Sequence, residues 1–91
     1  MTGDVTQFYY MFPTVHGIIS LLPEPGGRYK VMFKEDNLGS YHSAQAAAED
    51  VAGGHVLSPI SGVELNELGI PHDLEGWQKK VFAVFKGLRP A

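Results

Sequence analysis

Alternate positions sort into two faces over Val15 to Leu22 and Arg28 to Lys34, and the spacing switches to three and four from Ala44, so the chain reads as strands followed by helix. Gln7-Phe-Tyr-Tyr-Met-Phe12 is aromatic-rich and ends at Pro13, which suits an edge or first strand. In Val15 to Leu22, alternate residues divide into Val15, Gly17, Ile19 and Leu21 against His16, Ile18, Ser20 and Leu22. The second half is apolar on both sides, as a central strand requires. Pro23-Glu-Pro-Gly-Gly27 predicts a turn, because proline sets φ and two glycines are free to take positive φ. Arg28 to Lys34 then separates Tyr29, Val31 and Phe33 from Arg28, Lys30, Met32 and Lys34, giving one core face and one wet, basic face. Glu35-Asp-Asn37 predicts a second turn, and Leu38 to His42 a short fourth strand or the tail of the third. Turns this short imply an antiparallel meander.

The period changes at Ser43, whose hydroxyl is placed to cap a helix. Ala44 to Ala52 have high helix propensity, and Gly53-Gly54 can adopt the left-handed conformation that ends it. Ala44, Ala47, Ala48, Val51 and Ala52 form a stripe of small residues that lets this helix lie close to a sheet, although it buries too little area to stand alone. From His55 to Pro71 the pattern loosens into a long ordered connection pinned by Val56, Leu57, Ile60, Leu65, Leu68 and Ile70, with a helical turn or two around Val63 to Leu68. Asp73 is a candidate cap for a last helix, with Leu74, Trp77, Val81, Val84, Phe85 and Leu88 at helical spacing. Gly76 disfavours that helix by about 1 kcal/mol. Val81-Phe-Ala-Val-Phe85 has strand composition, so a helix ending near Lys80 followed by a strand is the alternative.

The architecture expected is therefore a single α+β domain over residues 1–91, an antiparallel sheet of three or four strands with a helix at 43–52 across it and a C-terminal helix or helix-strand at 73–88. Trp77, Phe82, Phe85 and Leu88 are expected to bury against Ile19, Leu21, Val31 and Phe33.

Composition narrows the function. Ninety-one residues lie near the lower end of chains that bury a self-sufficient core, and 44% hydrophobic with 19% charged residues is a globular balance. No apolar run approaches the roughly 18 to 20 residues that span a bilayer, and the N-terminus lacks a signal core, so a cytoplasmic protein with no membrane contact is expected. The absence of cysteine excludes disulfides, a thiolate nucleophile and any zinc site built on sulfur. The four histidines at 16, 42, 55 and 72 have no ligand spacing, so no metal is expected. Ser20, Ser40, Ser43, Ser58 and Ser61 lack a nucleophile-elbow context, and the Gly-Gly pairs fit no phosphate-binding loop. So small a chain leaves little room for a substrate cleft; neither catalysis nor a cofactor is expected.

The net charge of −3 is unevenly distributed. Residues 35 to 75 carry Glu35, Asp36, Glu49, Asp50, Glu64, Glu67, Asp73 and Glu75 with no base, whereas Lys79, Lys80, Lys86 and Arg89 follow with no acid. Glu49 and Asp50 fall in the last turn of the predicted helix, where the macrodipole disfavours each by about 0.3 to 1 kcal/mol. They keep the outer helix face wet, pair with the basic tail, or belong to an interface. The functional expectation is the third: a small bacterial or phage module whose Glu35, Asp36, Glu49, Asp50, Glu64 and Glu67 steer it to a protein with a basic surface. The aromatics of Phe8 to Phe12 would supply an apolar centre, or mediate a homodimer through an edge strand. The alternative is nucleic-acid binding through a sheet face bearing Tyr9, Arg28, Lys30 and Lys34, the materials of a single-strand platform.

Two resemblances accompany these readings. Over residues 28 to 52, a strand ending in LGSY, a serine cap and an Ala-Ala helix resemble the sheet-plus-helix DNA-binding domain of plant ethylene-response factors and some integrase arms. That resemblance implies major-groove contacts from Arg28, Lys30 and Lys34. Over residues 38 to 77, LGSYxSxxxAAxDVAGGH with LGIPxDLxxW is similar to small uncharacterised bacterial proteins, which implies a compact stand-alone module.

Overall fold

The computed structural model describes residues 5–55 and 68–85. Five strands, β1 (Val5–Thr14), β2 (Gly17–Pro23), β3 (Tyr29–Phe33), β4 (Asp36–Tyr41) and β5 (Gln78–Phe85), form one sheet in the order β4-β3-β2-β1-β5, with every pairing antiparallel. One helix, α1 (Ala44–Gly53), packs across β2, β3 and β4. The class is the α+β class expected, with a larger sheet. β2 is central, as its two apolar sides require.

The first four strands are a meander because each turn matches its strand ends. Thr14 pairs with Gly17 around Val15-His16, and the Thr14 hydroxyl donates to the Gly17 carbonyl at 2.6 Å. The Pro23–Gly27 turn contains a short 3-10 segment at Pro25–Gly27, with Gly26 at φ 83° and Gly27 at φ 78°. The third hairpin, β3–β4, turns one residue pair earlier than the polar run Glu35 to Asn37 suggests. Phe33 pairs with Asp36, and Lys34 takes φ 56°, which costs a non-glycine residue about 1 to 2 kcal/mol.

α1 follows its sequence signals closely. The Ser43 hydroxyl accepts from the Ala46 amide at 3.1 Å. At the other end Gly54 is left-handed at φ 74°, its amide donates to the Val51 carbonyl at 3.1 Å, and the His55 amide donates to the Asp50 carbonyl at 2.8 Å, which is a Schellman closure. Ala44, Ala47, Ala48, Val51 and Ala52 are all buried. They close on Ile19, Leu21, Val31, Phe33 and Leu38, with Ile70 and Trp77 completing the core.

The C-terminal element differs from the leading expectation. Residues 74–76 form one 3-10 turn, and residues 78–85 are a strand, not the continuation of a helix. Two causes are visible. A β-carbon at Gly76 would collide with the Pro71 ring, so this position serves close approach and not a helix interior. The β-branched and aromatic run of β5 finds backbone partners along β1, from Val5–Phe85 to Met11–Gln78. β1 is consequently the first strand but lies between β2 and β5, so Phe8 to Phe12 form no edge. Of the four residues expected to bury against the core strands, Trp77 does so, 5% exposed and with its indole N–H donating to the Pro71 carbonyl at 3.0 Å. Phe82 instead is 48% exposed, because it alternates with Gln78 and Lys80 onto the side of the sheet away from α1. The Phe85 side chain, Leu88 and the connection residues 56–67 lie outside the described residues.

Candidate functional site

Antiparallel partners share a face, so the register sorts the side chains of the sheet without ambiguity. The row Phe12–Ile19–Phe33–Asp36 and the row Lys79–Tyr10–Leu21–Val31–Gly39 point toward α1. The rows Gln78–Met11–Ser20–Met32–Asn37, Lys80–Tyr9 and Leu22–Lys30–Ser40 point away from it. On that second face Tyr9, Met11, Leu22, Lys30 and Met32 are half-buried, while Ile18 and Lys80 are exposed. Phe82 joins them, its ring meeting Tyr9 edge-on at 6.3 Å and 76°. Among the described residues no element packs over this face. It is an apolar and aromatic floor with Lys30 and Lys80 standing on it.

One corner of the face has depth. The Phe82 ring and Gln7 on one side and the Pro23–Gly27 turn on the other enclose a groove of about 290 Å³. Glu24 lines it, and its carboxylate is held in place. Ser40 Oγ donates to Glu24 Oε1 at 2.6 Å and itself accepts from Arg28 Nε at 3.0 Å, while a second Arg28 nitrogen donates to the Ser40 carbonyl at 3.0 Å.

The acids expected to form an interface lie in different surroundings. Asp50 accepts a hydrogen bond from the Tyr41 hydroxyl; burial first, then the Asp50 charge and this bond, push the Tyr41 pKa up from its ordinary value. The Tyr41 ring in turn lies back over Gly39, which at φ 143° leaves it room. Glu49 accepts from Gln45 Nε2 at 3.0 Å, and the same amide reaches the His72 carbonyl and Asp73 Oδ1 while its oxygen accepts from the Leu74 amide. Neither acid pairs with the lysines of β5 in these contacts. Glu35 is exposed in the β3–β4 turn and Asp36 opens β4, whereas Glu64 and Glu67 lie outside the described residues.

The basic set divides as well. Tyr9 and Lys30 share the open face. Arg28 is tied to Ser40 at its margin, and Lys34 sits in the hairpin turn with Nζ 5.6 Å from the centre of the Phe33 ring, on the helix side. Lys79 also belongs to the helix side, 4.1 Å from the centre of the Phe8 ring. Sequence reasoning set Met32 beside Lys30 and Leu22 opposite Leu21, but missed Lys80, Phe82, Met11 and Gln7 as members of this face, and Gln45 as the clamp of the 72–74 turn. The signal for Lys80 and Phe82 was the strand composition of Val81 to Phe85, which becomes decisive only once β5 is laid against β1.

Among the described residues no three His, Asp or Glu side chains converge as a metal site would require, and no helix is long and apolar enough to cross a membrane. Compared with known proteins, the chain matches no family model, no curated protein and no solved structure.

Proposed function

We propose that the chain is a non-catalytic binding module that takes single-stranded nucleic acid on the open face of its sheet. The observation that carries this reading is the sidedness of charge. Lys30, Lys80 and the marginal Arg28 accompany Tyr9 and Phe82 on one face, where the only carboxylate among the described residues is the tethered Glu24. Glu49 and Asp50 belong to α1, and Asp73 and Glu75 to the turn that Gln45 ties to it. The net charge of −3 therefore does not describe what a phosphate backbone approaching the sheet would meet. Aromatic rings stack bases of any sequence and lysines follow the backbone, which suits a single strand better than a duplex.

Fluorescence polarisation with labelled DNA and RNA single strands of about 12 nucleotides tests this. Tyr9→Ala and Phe82→Ala should each weaken binding by about 1 to 3 kcal/mol. Lys30→Ala with Lys80→Ala should flatten the salt dependence by about 0.7 per lysine in the log–log slope. Wild-type protein that binds neither strand at about 0.05 M salt refutes the proposal.

The same sidedness supports a second reading, in which the acidic helix layer receives a basic protein surface. Glu49→Lys with Asp50→Lys separates the two: it should leave nucleic-acid binding intact or tighter, and should abolish capture of a basic protein partner.

A further inference from the structure

The groove at the corner of the open face adds specificity to this reading and depends on it. Its walls are the half-exposed Phe82 ring and Pro25, and its far side is the bare backbone of Gly26 and Gly27, where a β-carbon would meet nothing within 4 Å. A flat ring can enter between such walls. Glu24 stands at the lining with its carboxylate fixed by Ser40, and Ser40 is fixed by Arg28. A carboxylate repels a phosphate, so the part of a nucleic acid that can occupy this groove is a base. It accepts hydrogen bonds only, so it favours a base edge that donates. Gln7 beside it offers both a donor and an acceptor.

We infer that this groove seats one base of the bound strand and selects a base carrying an exocyclic amino group, cytosine, adenine or guanine, over thymine or uracil, whose N3–H is flanked by two carbonyl oxygens. Cytosine N4 donates to the Glu24 carboxylate, and the Phe82 ring supplies the stacking surface. The backbone phosphates on either side lie toward Lys30 and Lys80.

Oligo(dC) and oligo(dT) of equal length test the selection with ring size held constant, and oligo(rC) with oligo(rU) repeats it for RNA. The wild-type protein should bind the cytosine strand about fivefold or more tightly than its thymine or uracil counterpart. Glu24→Gln keeps an oxygen for Ser40 but adds a donor, and should bring the ratio close to one without weakening oligo(dT). Trp77 fluorescence checks that the variant is folded. Equal binding of the two strands by wild-type protein overturns the inference and leaves the open-face reading standing, as does a preference that survives in Glu24→Gln. No binding of any strand removes both.

Discussion

Replacing Gln45 by alanine removes a side-chain amide that fastens α1 to the turn leading into β5. Gln45 Nε2 donates to Glu49 Oε2 at 3.0 Å, Asp73 Oδ1 at 3.2 Å and the His72 carbonyl at 3.3 Å, and Oε1 accepts from the Leu74 amide at 3.3 Å. Two amide hydrogens serve three acceptors, and the bonds lie at a solvent-exposed seam, so the set contributes about 1 to 2 kcal/mol and not the sum of four isolated bonds. Alanine recovers a few tenths of a kcal/mol in helix propensity. The net loss of about 1 to 1.5 kcal/mol should lower the melting temperature by about 4 to 12 °C in a domain of this size. Gln45→Glu is the sharper perturbation, since it keeps the acceptor and replaces the donor with a third carboxylate beside Glu49 and Asp73. It should cost roughly 0.5 to 1 kcal/mol more than alanine at pH 7. Repulsion raises the folded-state pKa of the new carboxyl above its unfolded value. The penalty is therefore absent below the unfolded pKa, near 4.3, and sets in as pH rises through the folded value. Circular dichroism melts at pH 4 and pH 7, with Trp77 emission as a local reporter, measure both variants. A Gln45→Ala protein as stable as wild type, or a Gln45→Glu protein whose deficit is the same at the two pH values, would refute the reasoning.

Three further perturbations bear on the fold. Ala48→Leu places three extra carbons where the helix has no exposure and should cost about 1 to 3 kcal/mol in urea unfolding; an unchanged midpoint would mean that the helix does not lie close to the sheet. Ser43→Ala removes the cap on the Ala46 amide and should cost about 1 kcal/mol in the same assay, whereas Ser43→Asp should retain most of the stability. Burial, together with Tyr10 for Tyr29 and with Asp50 for Tyr41, raises the pKa of both phenols above 10.0, so the unfolded chain releases these protons first. Stability should be intact below pH 10 and fall as pH rises toward the folded values, and Tyr29→Phe with Tyr41→Phe should flatten that fall in melts from pH 8 to pH 11.

How much of this was legible in the sequence depended on whether the cause was local. Ser43, the alanine stripe and Gly53-Gly54 carry their own capping and packing chemistry, and α1 begins and ends where they direct. The strands β2 and β3 follow from period-two alternation and a proline-glycine turn in the same way. β5 was ambiguous because its apolar spacing fits both periods, and what decides it is remote: the free edge of β1 and the Pro71 ring beneath Gly76. The acids at 49 and 50 were legible as an anomaly and not as a solution. Their partners are Gln45, one turn away, and Tyr41, which reaches back across Gly39. The open face was half legible, since Tyr9 and Lys30 could be named from the alternation of their strands. Lys80 and Phe82 join only through the register of β5 against β1.

The central claim concerns which face of the sheet meets a ligand, and amide chemical-shift mapping answers it residue by residue. A ¹⁵N-labelled sample titrated with a cytosine-rich single strand should show shifts concentrated at Tyr9, Met11, Leu22, Lys30, Lys80 and Phe82, with α1 and residues 73–75 unmoved. Shifts confined to α1 and the 73–75 turn, or none at saturating strand, would contradict the account.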